Sequence, residues 1–294
     1  MTRLITQVSA AFDMARTVGF GPTAERVRNY VYARMADRRR AKQFGRMDLN
    51  GKVIRSILGS KMLLDADAPG IDRDLLLDGI REPIATGHLL GILRSDDVVL
   101  EVGANIGYYA LIEARICRKI YAAEPHPSNF ARLNENIALN KFTNIETFNV
   151  AFGAENTKLY LECSNLSNWH SCRGTSANTP NTVAVEGWRI DSFLEGKEAP
   201  TLIKMDVEGY ELEVLRGARR ALQSVRHLFL ELHGAILGRS EIRELLDLVK
   251  DAGLQPSLIV QYDRPGLSQV CELSQLEAIY AGDRGTYELF FVRK

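Results

Sequence analysis

The chain has 294 residues, enough for one domain with an N-terminal extension or for two small domains. Apolar residues make up 46% and charged ones 25%, the balance of a globular protein, and no apolar run nears the ~18 residues of a membrane helix. Lys+Arg and Asp+Glu both total 37, so global charge gives no signal for a nucleic-acid partner.

The opening residues, Met-Thr-Arg-Leu-Ile-Thr-Gln-Val, lack a signal peptide's long apolar region, which points to a cytoplasmic protein. The four cysteines (Cys117, Cys163, Cys172, Cys271) show no CxxC spacing and read as free thiols in a reducing compartment. Residues 1–48 read as helical. Positions 23–46 carry eight Arg or Lys against Glu25 and Asp37, with an apolar stripe of Val27, Tyr30, Val31 and Met35. This is either a solvated helix face or a surface meeting a membrane or anionic glycan by charge attraction. Residues 50–65 read as a β-hairpin and 71–77 as a short helix, and a second helix starts at Pro83. Arg81 and Glu82, just before that proline, read either as groups at a pocket mouth, where Glu82 would meet a substrate, or as helix-cap charges. The spacing predicts an N-terminal helical and hairpin extension over 1–78 and a main domain over 79–294.

The main domain opens on a buried strand, 97–102, followed by a turn bracketed by Gly103 and Gly107 and a helix over 107–117. Strand–glycine turn–helix is the first unit of a doubly wound α/β domain, and such a turn lets a ligand approach the backbone. A dinucleotide fingerprint would need G-x-G-x-x-G, which is absent. A second strand, 119–123, ends in Glu124, about 20 residues past Gly103, where an acid can accept both hydroxyls of a ribose. A helix over 127–139, entered through Pro125 and Pro127, leads to a strand at 144–150. Asn149, at its end, is placed to read a purine edge. Two alternating stretches, 157–163 and 182–186, flank a polar loop, 164–181, that reads as a flap over an acceptor site, with Trp169 and His170 as contacts. The strand 202–205 then ends in Asp206 and Glu208. Lys204 lies on the same face as Asp206 and is expected to pair with Asp206 or Glu231. The strand 227–233 ends in Glu231 and His233. A helix (241–252), a strand (256–261) and a last strand (287–292) complete the chain.

Three blocks, Glu-Val-Gly-Ala-Asn-Ile-Gly-Tyr-Tyr, Glu-Pro-His-Pro and Ile-Lys-Met-Asp-Val-Glu-Gly-Tyr-Glu-Leu-Glu-Val-Leu-Arg-Gly-Ala, together resemble the FkbM-type methyltransferase family over about residues 79–240. The resemblance implies a Rossmann-like class I α/β fold: a seven-stranded, mostly parallel sheet whose last strand is antiparallel. It implies S-adenosyl-L-methionine as cofactor and O-methylation of a hydroxyl on a sugar, glycan, glycolipid or polyketide. It carries Glu101, Gly103, Asn105, Gly107 and Glu124 over as cofactor-binding positions, joined in the same turn and strand ends by Ala104, Tyr108, Pro125, Asn149 and Asp206. It carries Lys204, Asp206 and Glu208 over as active-site positions, and Glu231 and His233 match the next strand end less closely. A sugar hydroxyl is barely acidic, so a base must take its proton, and the candidates are Asp206 and His233. The paired acids could also hold a divalent cation, although no metal site is assigned. The competing readings are a methyltransferase of RNA, protein or a natural product, and a non-catalytic binding module. An adenine N-methyltransferase would carry Asn/Asp-Pro-Pro-aromatic where this chain has Asp-Val-Glu-Gly.

Overall fold

The computed structural model describes residues 40, 42–45, 47, 49–162, 171–172, 182–262 and 268–294. Trp169, His170 and nearly all of the basic segment 23–46 lie outside them. The described part from Asn50 onward is one compact unit. It begins with a hairpin of β1 (Lys52–Ile57) and β2 (Ser60–Asp65), then α1 (Ile71–Asp78) and α2 (Pro83–Ile92). The chain next alternates through β3 (Val98–Val102), α3 (Tyr108–Glu113), β4 (Lys119–Ala123), α4 (Pro127–Asn140) and β5 (Ile145–Phe148). A side sheet follows, of β6 (Ala151–Phe152), β7 (Thr157–Glu162), β8 (Ser171–Cys172) and β9 (Thr182–Trp188). The short helix α5 (Ile190–Phe193) returns the chain to β10 (Leu202–Met205), α6 (Glu211–Arg216), α7 (Arg219–Leu222) and β11 (His227–His233). The last elements are α8 (Arg239–Asp251), β12 (Leu254–Gln261), β13 (Gln269–Cys271), α9 (Gln275–Tyr280) and β14 (Thr286–Arg293).

The central sheet runs β13-β12-β14-β11-β10-β3-β4-β5. Strands β5, β4, β3, β10 and β11 are mutually parallel, and β14 inserts antiparallel between β11 and β12. Seven of the eight strands therefore have the expected arrangement. The eighth, β13, is a three-residue edge strand on β12, too short to show a periodicity. From β3 the chain moves outward through β4 and β5, then restarts on the other side of β3 with β10 and β11. The crevice at the carboxyl ends of β3 and β10 is the switch point where α/β sheets take ligands.

Every residue of β3 is buried, as an inner parallel strand requires. Packed against the sheet from one side are Leu212, Val214, Leu215, Ile242, Leu245 and Val249 of α6 and α8. On the other side Phe229 stacks on Phe290 at 4.1 Å between ring centroids, and His88 of α2 meets Phe290 edge-on. The hairpin is tied to α4. Asn136 accepts the Leu63 N–H at 2.7 Å and donates to the Ile106 carbonyl at 2.8 Å, Asn140 accepts the Lys61 N–H, and Arg132 pairs with Asp72. Strand β5 stops at Phe148 because the Asn149 amide turns back to the carbonyls of Glu124 and Pro125, at 2.8 and 2.9 Å.

Candidate active site

A pocket open to solvent lies at the carboxyl ends of β3, β4 and β10. It brings together Gly103, Asn105, Glu124, Pro125, Asp206 and Glu208, six residues from three separate sequence blocks. Glu124 fits the acid expected after the second strand. Its Oε2 accepts the Asn105 N–H and its Oε1 the His126 N–H, both at 2.8 Å, which fixes the carboxylate and leaves each oxygen a second lone pair. Burial pushes its pKa up to about 7, against the pull of those two N–H groups.

The glycine turn works differently from the sequence expectation. The N–H groups of Gly103 and Ala104 both donate to the Ala123 carbonyl, that of Asn105 to Glu124, and that of Gly107 to the Ala104 carbonyl. These four donors are occupied within the protein, so the turn contributes shape and anchors Glu124. Gly103 has φ +85°, and a Cβ there would lie 2.0 Å from the Asp206 carbonyl oxygen. The glycine is therefore what lets the ends of β3 and β10 close on each other. Gly107, φ +97°, would likewise meet Leu133.

Three other expected cofactor residues stand behind the cavity lining. Asn149 acts through the loop it ties. The Tyr108 hydroxyl bonds to the Arg81 backbone and to Thr86. Glu101 is buried and its Oε1 lies 3.1 Å from Lys204 Nζ, so the partner of Lys204 is Glu101 rather than Asp206 or Glu231. The reason is register: Lys204 and Glu101 face each other on adjacent strands. The ammonium also lies 4.6 Å from the centre of the Tyr109 ring. Beneath the pair is Glu113, whose pKa burial and the Glu101 charge push well up.

Past Lys204 a row of acids crosses the sheet. Asp206 follows β10, Glu231 is on β11, and Glu288 on β14 pairs in register with Glu231. Burial would raise Asp206, but the charges of Lys204, His233 and Arg81 hold its pKa below the usual range. Burial raises Glu231 well up, helped by the Asp206 charge, and raises Glu288 to about 9, helped by Glu82. Asp206 is thus the carboxyl held down beside two that are pushed up, and Glu231 hydrogen bonds to it. Arg81 and Glu82 cover this row. They pair with each other, Tyr109 donates to Glu82 Oε2 at 2.6 Å, and Thr86 donates to the Arg81 carbonyl at 2.7 Å.

His233 is flanked by carboxylates on both nitrogens. Nδ1 lies 2.6 Å from Glu211 Oε1, and Nε2 lies 3.2 Å from Glu208 Oε2 and 3.5 Å from Glu231 Oε1. Burial would lower its pKa, but the bonds to Glu208 and Glu211 raise it well above the ordinary value. The charges that lower the pKa of Asp206 and raise that of His233 make Asp206 the more readily ionised of the two candidates. Five non-glycine residues among those described have positive φ, and three of them, Glu82, Asn105 and Glu208, belong to this region, as strained backbone at functional sites does.

Sequence reasoning did not single out Glu288, Glu211, Tyr109, Asn129, Phe152, Leu161 or Tyr210. Glu288 had a readable signal, one acid inside an apolar strand, Tyr287-Glu288-Leu289-Phe290-Phe291. The cavity wall of Phe152 and Leu161 had none, because the side sheet brings it there.

The family model of the Methyltransferase FkbM domain matches residues 101–256. The hexuronic acid methyltransferase AglP of Haloferax volcanii is 31% identical over 173 residues, covering 58% of this chain and 68% of that protein. The 2-O-methyltransferase NoeI of Sinorhizobium fredii is 26% identical over 213 residues, covering 64% and 85%. Among solved structures, the methyltransferase FkbM from Methylobacillus flagellatus aligns with a TM-score of 0.46 at 20% identity. That alignment covers 68% of this chain and 45% of that one.

Proposed function

Because this chain belongs to the FkbM methyltransferase family, we propose that it uses S-adenosylmethionine to methylate a hydroxyl of a sugar, free or within a glycan or glycolipid. The names of two relatives, one acting on hexuronic acid and one a 2-O-methyltransferase, support a sugar acceptor. The observation that carries the reading is that Glu124 and Asp206 line one cavity from opposite sides of the switch point. The cavity fits the cofactor on its own terms. Glu124 offers two fixed oxygens to a ribose, Val150, Ala151 and Phe152 offer an apolar wall to a base, and Asp206 Oδ1 is a buried oxygen without a hydrogen-bond partner.

When bound, the cofactor supplies an activated methyl on a sulfonium, which leaves positioning and proton removal to the protein. Glu124 would hold the ribose, with Asn149 and the turn at Gly103–Asn105 keeping it in place. The Asp206 carboxylate would accept the O–H proton of the hydroxyl being methylated. Glu231 steadies Asp206 by a hydrogen bond, while Lys204, His233 and Arg81 hold its pKa down. Arg81 and Glu82 present donors and acceptors to the sugar from above the acid row.

The test is methyl transfer from labelled cofactor to a panel of neutral and uronic sugar conjugates, with RNA and protein as further arms. Label on a sugar oxygen is the expected result. Label only on RNA or protein would replace the acceptor class, and calorimetry showing no uptake of the cofactor would remove the enzyme reading. Among the described residues no helix is long and apolar enough to cross a membrane. A membrane-held glycolipid would therefore be reached from its surface, and the basic segment 23–46 has the charge for that.

A further inference from the structure

Asp206, Glu208 and His233 each offer one donor atom, and these three atoms all lie within 4.8 Å of one another. We propose that this cluster is a divalent-cation site for an ion of the Mn²⁺ or Mg²⁺ class. The ion would be placed to hold the acceptor's hydroxyl oxygens, a role that rests on the sugar-methylation reading. Two carboxylates and an imidazole are a donor set such ions accept. A six-coordinate ion with bonds of about 2.1 Å sets neighbouring donors about 3.0 Å apart and opposite ones about 4.2 Å apart. His233 Nε2 stands 3.2 Å from Glu208 Oε2, and a further carboxylate oxygen, Glu231 Oε1, is at 3.5 Å.

The orientation of the histidine supports the same conclusion. Its Nδ1 is held by Glu211 Oε1, which also accepts the Gly209 N–H at 2.9 Å, so Nε2 is the nitrogen left to face the cluster. A carboxylate behind the far nitrogen is how proteins aim a metal-binding imidazole. A proton on Nε2 would satisfy His233 and Glu208 without any ion, but it leaves Asp206 Oδ1 unpaired, as is Oε2 of Glu211. Asp206 Oδ1 is buried and has no hydrogen-bond partner, a state that a native site resolves with a ligand. Asp206 and Glu208 also line the cofactor cavity, which sets the ion beside the acceptor. There it would act as a Lewis acid on a hydroxyl that is otherwise hard to deprotonate.

The full chain, stripped with a chelator, is titrated with Mn²⁺ alone, followed by the loss of the free-ion paramagnetic resonance signal and by calorimetry. One ion per chain is expected. Glu211→Gln keeps all three donors and should weaken binding by about 10–100-fold, Glu208→Gln should abolish it, and Asp247→Asn on α8 should leave it unchanged. Circular dichroism checks that each variant folds, and the partly exposed Glu208 serves if Glu211→Gln does not. Failure of the wild type to retain Mn²⁺, or equal binding by Glu208→Gln, overturns the site. Sugar methylation at full rate in chelator overturns the cation and leaves the sugar reading standing. A tightly held ion with no sugar methylated supports the site and removes the sugar reading.

Discussion

Two carboxylates that flank β3, one after β4 and one after β10, have pKa values shifted in opposite directions, and the difference is local. Glu124 is buried, and its two backbone N–H partners and the Lys204 charge do not offset that burial, so its pKa is pushed up to about 7. Asp206 is less deeply set and has Lys204, His233 and Arg81 around it, which hold its pKa down. Because the native pKa of Glu124 is raised above its unfolded value near 4.5, the stability it contributes is complete below pH 4.5 and is lost as pH rises through 7. Cofactor binding should run the other way, since the ribose needs the ionised form. Calorimetry from pH 5.5 to 8.5 should show affinity weakening by up to about tenfold per unit below pH 7. Glu124→Gln should bind more weakly with a flat profile. A profile unchanged by Glu124→Gln would take the ribose contact away from this residue. Asp206→Asn removes the proton acceptor and is expected to lower kcat by about 10²–10⁴-fold with a much smaller change in cofactor affinity. Steady-state rates read beside binding curves check this, and equal losses in both would make Asp206 a cofactor ligand only.

At the scale of elements, the strand-to-strand joints explain residues that a motif alone would assign to chemistry. Gly103 is needed because the β3 turn and the end of β10 touch. Gly103→Ala should therefore destabilise the fold by about 2 kcal/mol or more, from a positive φ and a contact with rigid backbone. Urea unfolding measures it, and a loss of cofactor affinity with unchanged stability would return the glycine to a binding role. Lys204, read in sequence as an active-site group, is first a buried counter-ion. Lys204→Met leaves Glu101 and Glu113 together without a cation and should cost about 3–5 kcal/mol. Denaturant midpoints test this directly. The pairing was not legible because which residue faces Lys204 depends on the register between β3 and β10, two strands about a hundred residues apart.

For the whole molecule, the hairpin at 50–65 illustrates what sequence pattern leaves open. Its strands and turn are readable locally, but its attachment is made by Asn136, Asn140 and Arg132 of α4, the last through the Leu63 carbonyl, polar residues on a helix with no distinguishing spacing. Asn136→Ala frees the Leu63 N–H and the Ile106 carbonyl and should cost about 1–3 kcal/mol. Limited proteolysis should then cut first within 50–65, and cleavage elsewhere would show that another contact holds the hairpin. The sequence by itself determined the alternation of strands and helices, the family, and the acids that converge on the crevice. Those follow from short-range spacing, which a chain carries wherever it folds. Tertiary structure alone decided that the turn's N–H groups are already occupied, that Lys204 pairs with Glu101, that His233 lies between carboxylates, and that Glu288 joins the acid row. Each of these depends on which strands lie side by side and on how far burial and neighbouring charge shift a proton, and neither is written in the order of residues along one strand.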